Sequence, residues 1–252
     1  MKPAQRLIVA LDVPTLDIAT RLVKSLAPGG VTHFKVGLGL FTQAGPAAVE
    51  MVHKQGGRVF LDLKFHDIPS TVGKAVQSAT RLGVWMTNLH IQGGSAMMCQ
   101  ALASAQEEAA AQRRAPPILI GVTILTSMGE RDMADLGLRK TLKDQVLYLA
   151  KLAKSAGLNG IVASPQEAKI LRWASGDSFV IVTPGIRPAS PEKDPFAAGG
   201  SLPKFADDQH RTATPLEAVR AGADYIVVGR PILEAPDPLQ VAQKIMQDLE
   251  NR

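Results

Sequence analysis

The sequence predicts a single-domain α/β protein, an eight-unit (β/α)₈ barrel of the TIM type, and three observations carry that reading. Short apolar runs alternate with amphipathic stretches eight times along the chain. The length of 252 residues is the usual size of eight such units. Side chains able to do chemistry recur at the C-terminal ends of the runs and are sparse at the opposite ends, the asymmetry that barrel enzymes show.

The apolar runs predict strands over residues 6–12, 33–37, 58–64, 86–91, 117–124, 160–164, 179–184 and 225–229. Between them lie helical patterns such as 15–27, 41–55 and 141–156, and the last run is followed by 237–250. Helix starts are marked by Thr15, by Ser70, by Ser164 before Pro165 and by Thr214 before Pro215. Gly56, Gly83, Gly157 and Gly222 mark helix ends. A doubly wound open sheet would alternate in the same way, but no Gly-x-Gly-x-x-Gly follows the first strand, which removes the dinucleotide form of that fold. No linker-like boundary interrupts residues 1–252, so one domain is expected. The one long irregular stretch, about 187–213, falls after the seventh strand and reads as a functional loop over the site.

Composition narrows the class. An apolar share of 46% with dispersed charge supports a large core and argues against disorder. The net charge of +5 comes without a long Lys/Arg run, and aromatic residues are sparse, so nucleic acid is not an expected partner while a small anionic substrate is. No apolar run reaches the length of a membrane span, and the first is too short for a secretion signal; a cytoplasmic protein is expected. The single cysteine, Cys99, excludes an internal disulfide and a cysteine-based zinc site, and within its helical stretch it reads as a packed small residue. Met97 and Met98 beside it read as core, and Arg113-Arg114 as a solvated helix end.

The densest signal is Asp62-Leu63-Lys64-Phe65-His66-Asp67-Ile68-Pro69, which continues the strand-like Arg58-Val59-Phe60-Leu61. Alternation puts Phe60, Asp62 and Lys64 on one face, so a carboxylate and an ammonium stand together at the end of an apolar strand. Buried charge is costly and pairing often only breaks even, so this placement points to chemistry more than to stability. Asp12 ends the first strand, Lys35 lies in the second, His90 ends the fourth, Thr123 and Thr126 end the fifth and Ser164 ends the sixth. Pro184-Gly185-Ile186-Arg187 follows the seventh strand and Gly229-Arg230 the eighth.

Taken in order, Leu11-Asp12, Phe34-Lys35-Val36-Gly37, the Asp62–Pro69 segment, Leu125-Thr126-Ser127, Thr183-Pro184-Gly185-Ile186-Arg187-Pro188, Asp208-Gln209-His210-Arg211 and Val228-Gly229-Arg230-Pro231-Ile232 closely resemble the orotidine 5′-phosphate decarboxylase family of the bacterial type over nearly the whole chain. The resemblance implies conversion of orotidine 5′-monophosphate to uridine 5′-monophosphate and carbon dioxide, the last step of de novo UMP synthesis, with no metal and no organic cofactor. It implies an alternating charged array of Lys35, Asp62, Lys64 and Asp67, in which Lys64 donates the proton to C6. It also implies a homodimer in which Asp67 serves the neighbouring subunit's site. Asp12 and Lys35 are expected at the ribose hydroxyls and Thr126 at the pyrimidine, with Ile68, Thr71 and Pro184 among the substrate-binding residues. Arg187, Gln209, Gly229 and Arg230 are expected at the phosphate.

Other polar residues have plainer readings. His66 sits where strand parity is lost and reads as structural; His90 could be pocket wall or neutral support; His210 and Arg211 read as solvated loop charges. A rival on the same framework is a metal-dependent sugar-phosphate decarboxylase or aldolase, but Lys35 and Lys64 would repel a cation near Asp62. A silent phosphate-binding barrel is the rival from another class, and it would have no use for the full set of charges.

Overall fold

The computed structural model describes residues 3–188 and 211–250, so Asp208, Gln209, His210 and most of the 187–213 loop lie outside the described residues. Eight parallel strands close in sequence order into a barrel, β1 pairing with both β2 and β8. They are β1 Leu7–Ala10, β2 His33–Gly37, β3 Arg58–Phe65, β4 Met86–His90, β5 Ile118–Val122, β6 Gly160–Val162, β7 Val180–Thr183 and β8 Tyr225–Val228. Each falls on a predicted apolar run. These strands are buried on both faces, and for that reason read as near-continuous hydrophobic stretches rather than alternating ones.

The helices are α1 Leu16–Leu26, α2 Leu38–Ala44, α3 Ala47–Lys54, α4 Pro69–Arg81, α5 Gly94–Ala111, α6 Glu130–Asp135, α7 Leu142–Ser155, α8 Pro165–Ser175, α9 Pro215–Arg220, α10 Arg230–Leu233 and α11 Pro238–Glu250. Two core regions of Leu, Ile, Val, Met and Ala fill the space between strands and helices. A third core lies within the barrel, where Ile8, Phe60, Met86, Ile120, Val182 and Val227 meet from six strands. Alternation along each strand thus sets the inward parity: if Phe60 faces inward, so does Asp62.

Local signals explain most element ends. Thr15 accepts a hydrogen bond from the Ile18 amide, and Thr214 with Glu217 forms a reciprocal capping box before Pro215. Ser164 and Glu167 form another, so Ser164 is spent on starting α8. Ser70 is not a cap: Ile68 holds that position, Pro69 opens α4, and Ser70 lies within its first turn. The single helix expected over 41–55 is two helices. Gly45, at φ +57°, turns the chain out of the first, and Pro46 starts the second. Cys99 is exposed, not packed, because it sits on the outward side of α5, whereas Met97 and Met98 are fully buried.

The N-terminal end of the barrel is closed by rings. His33 lies 4.3 Å from the Trp85 ring and 6.1 Å from Tyr225, and its Nδ1 is 2.9 Å from Thr32 Oγ1. Burial, aided by the Arg58 charge, lowers the His33 pKa from 6.5 to about 4. The unfolded chain therefore takes up this proton first as pH falls. Stability from a neutral His33 is complete above pH 6.5 and is lost between there and about pH 4, by up to about 3 kcal/mol. Urea unfolding of wild type and His33→Gln is expected to show the gap between them shifting against wild type by about 2 kcal/mol from pH 7 to pH 4.5. A gap independent of pH would contradict this account.

Candidate active site

The inward parity of the first three strands delivers a row of charges to the C-terminal mouth of the barrel. Pairing of Ala10 with Lys35 and of Gly37 with Asp62 sets their heights. Lys35 Nζ stands 2.9 Å from Asp12 Oδ1 and 3.2 Å from Asp62 Oδ2, and Lys64 Nζ donates to Asp62 Oδ1 at 2.6 Å. The result is an unbroken sequence of alternating sign: Asp12, Lys35, Asp62, Lys64. Burial is greatest in the middle, with the Lys35 and Asp62 side chains 11% and 10% exposed, and Lys64 at the open end 27%.

Electrostatics fix the protonation of the two central groups. Burial alone would neutralise Lys35, but Asp62 and Asp12 overcome it and hold its pKa above the usual lysine value. For Asp62, burial works against the carboxylate, while Lys35, Lys64 and hydrogen bonds from Lys64 and Asn88 overcome it and hold the pKa below the usual value. Both are charged through the neutral pH range. Space is reserved as well. A Cβ at Gly37 would stand 2.9 Å from Lys35 Nζ and 3.0 Å from Asp12 Oδ1, so any side chain there would displace the ion pair.

These charges border a cleft of about 800 Å³, within the range of sites for small molecules. Its apolar lining includes Ala10, Phe60, Val162, Val182 and Val227, the upper part of the barrel interior. Thr126 and Ser127 border it from the segment after β5, Pro184, Gly185 and Arg187 from the segment after β7, and Gly229 and Arg230 from the end of β8. The structure therefore brings together Asp12, Lys35, Asp62, Lys64, Thr126, Pro184, Arg187, Gly229 and Arg230 from six separated places in the sequence.

Asp67, Ile68 and Thr71 are not among the residues lining this cleft. They lie exposed at the head of α4, where Asp67 Oδ1 accepts the Ile68 amide at 2.6 Å and the Ile68 side chain is left open to solvent. Gln209 lies outside the described residues. His66 and His90 pack ring against ring at 5.3 Å, and burial, with His66 and Lys64 beside it, pushes the His90 pKa down. Arg211 is not a solvated charge. It is buried against Glu167, the capping residue of α8, and its Nη2 donates to the Leu125 carbonyl at 3.0 Å, next to Thr126. The residue that sequence reasoning passed over is Asn88, fully buried on β4, whose amide touches both Asp62 and the Lys64 backbone. Its inward parity, shared with Met86 and His90, is the signal that could have found it.

Comparison with known proteins gives a consistent picture. The model of the orotidine 5′-phosphate decarboxylase / HUMPS family matches residues 5–245. A protein of Moorella thermoacetica named orotidine 5′-phosphate decarboxylase is 48% identical over 252 aligned residues, covering 99% of this chain and 94% of the relative. One of the same name from Idiomarina loihiensis is 48% identical over 244 residues, covering 97% of each. Among solved structures, orotidine 5′-phosphate decarboxylase from Lactobacillus acidophilus superposes with a TM-score of 0.82 at 35% identity, covering 97% of this chain and 99% of the other.

Proposed function

The chain belongs to the orotidine 5′-phosphate decarboxylase / HUMPS family, and we propose that it converts orotidine 5′-monophosphate to uridine 5′-monophosphate and carbon dioxide, the closing step of UMP synthesis. The observation that carries this reading is the Lys64 ammonium, held by Asp62 at the open end of an alternating charge row and beside a nucleotide-sized cleft.

The chemistry needs such a group. When the bond from C6 to the carboxylate breaks, its electron pair stays in an sp² orbital at C6 that the ring π-system cannot delocalise. A fixed ammonium stabilises the developing carbanion and then delivers its proton to C6 as carbon dioxide departs. Lys64 is left as a neutral amine and regains a proton from water after product release. Asp62 keeps Nζ in place through this cycle, and Lys35 keeps Asp62 in place. Because the charges are already arranged, little reorganisation is needed as the transition state forms.

The remaining residues take binding roles in this proposal. Asp12 and Lys35 meet the ribose hydroxyls, and Thr126 and Pro184 border the pyrimidine. Arg187, Gly229 and Arg230 take the phosphate together with Gln209; guanidinium forks suit phosphate oxygens, and binding energy there can be used at the distant reacting bond. Asp67, Ile68 and Thr71 act on the site of a second subunit in a homodimer. Their exposure away from the cleft of their own chain supports this. A cytoplasmic setting, which a free cysteine suits, belongs to the same proposal. Among the described residues no helix is long and apolar enough to cross a membrane.

The metal-dependent rival finds no support in the donor set. Asp62 is already matched by two ammonium groups, and among the described residues no three His, Cys, Asp or Glu side chains cluster in a way that could hold a metal ion. The deciding experiment follows orotidine monophosphate absorbance on adding purified protein in buffer containing a chelator. Conversion to uridine monophosphate at a rate unchanged by the chelator is expected. No conversion by folded protein, or a requirement for added magnesium, would overturn the proposal.

A further inference from the structure

We infer that Asn88 is a positioning residue for the reaction, one that sets both the backbone turn and the side-chain partner of Lys64. The inference rests on the functional reading above.

Strand β3 does not run regularly to its end. Leu61 pairs with Thr87 and Phe65 with Leu89, so three residues of β3 face a single residue of β4, and that residue is Asn88. Within the bulge Lys64 adopts φ +50°, a left-handed conformation uncommon for a residue with a Cβ. A bulge breaks the ladder and leaves amides without their strand partners. Asn88 Oδ1 accepts the Lys64 amide at 2.8 Å and supplies the missing partner.

The other end of the same side chain points at the carboxylate. Asn88 Nδ2 donates to Asp62 Oδ1 at 2.7 Å, the oxygen that also receives Lys64 Nζ at 2.6 Å. Asn88, Asp62 and Lys64 thus close a ring that runs from the Lys64 amide to the Lys64 ammonium. A flipped Asn88 amide would set oxygen against carboxylate and NH₂ against N–H, so only one orientation satisfies both contacts. Asn88 itself is fully buried, and no solvent can substitute for it without a cavity.

This geometry separates positioning from mere filling of the core. Asn88→Asp keeps the size and the acceptor for the Lys64 amide but turns the donor to Asp62 into a repelling carboxylate. The groups facing Asp62 are Lys35 from β2, with Asp12 behind it, Lys64 from its own strand, and Asn88 and His90 from β4. Loss of one donor and gain of a negative neighbour make protonation of Asp62 easier, so its pKa rises. Lys64 then loses its anchor at a higher pH than in wild type.

The test compares wild type, Asn88→Asp and Asn88→Ser by steady-state kinetics against pH, after wild-type turnover of orotidine monophosphate has been established, so that failure of the reaction and failure of the inference are distinguished. For both variants kcat is expected to fall about 10²-fold with KM changed by no more than about threefold, the mark of a misplaced reacting group. For Asn88→Asp the acid limb of kcat/KM is expected to move up by about one pH unit or more. Values of kcat and an acid limb matching wild type in a folded variant would overturn the inference. A crystal structure of Asn88→Ser gives a reading independent of turnover: Lys64 should leave φ +50° or its 2.6 Å contact with Asp62. Retention of both would overturn the inference as well.

Discussion

Lys64→Ala is expected to lower turnover of orotidine monophosphate by about 10⁴-fold or more while a uridine nucleotide still binds within about tenfold of wild type. The size follows from two losses at one atom. A general acid contributes about 10²–10⁴-fold, and a preorganised charge at the developing anion about 10²–10³-fold. The two are not independent, so the larger single figure is the floor. Ground-state binding is expected to survive because the residues proposed for the phosphate and the ribose, Arg187, Gly229, Arg230, Asp12 and Lys35, reach the cleft from elements other than β3. Folding is expected to survive as well, since alanine at position 64 keeps the Cβ and so meets the same left-handed backbone cost that lysine does. Stopped assays for carbon dioxide and fluorescence or calorimetric titration with the product nucleotide check both halves. Turnover within tenfold of wild type would sink the proposed role of Lys64. A loss of nucleotide binding equal to the loss of turnover would assign Lys64 to binding instead of chemistry.

The barrel and much of its site were legible because they rest on short-range regularities. Buried parallel strands must be apolar on both faces, so runs such as Leu7–Ala10 and Tyr225–Val228 announce themselves. Alternation then carries Phe60 and Asp62 to the same side, and the structure puts one in the barrel core and the other at the mouth. What alternation could not show is the bulge. Lys64 does reach Asp62, but from a left-handed turn that period-two reasoning does not contain, and the side chain that holds the turn comes from another strand. The burial of Arg211 and the exposure of Cys99 escape a reading of sequence for a related reason: burial is a property of the partner surface. Glu167 waits for Arg211 across the barrel rim, and nothing within the Cys99 stretch tells which side of α5 faces inward. The break between α2 and α3 was within reach, since Gly45-Pro46 is a turn signal inside an otherwise helical pattern.

Mixing Lys64→Ala with Asp67→Asn, each inactive alone, is expected to restore about a quarter of wild-type activity once subunits have exchanged, if two-fold symmetry lends each site one residue from either chain. The arithmetic is specific to a shared site. Random reassortment makes about half of the dimers hybrid. In each hybrid one site combines both defects, and the other combines the intact Lys64 of one chain with the intact Asp67 of its partner. The single-chain geometry is what makes this outcome reasonable. Asp67 cannot be read as a member of its own chain's charge row: it lies exposed, its carboxylate turned to the Ile68 amide, while Asp12 to Lys64 already alternate without it. An apolar side chain beside it, Ile68, is 64% exposed and would gain from burial against a second copy. Exchange is followed by mass spectrometry of differently tagged subunits, and activity by carbon dioxide release. Demonstrated exchange without recovery would show that each chain completes its own site, and Asp67 would then need a different role. Recovery above a quarter would require either that hybrids exceed half of the dimers, which the mass spectrometry measures, or that one of the two variants is active in its homodimer, which the unmixed controls measure.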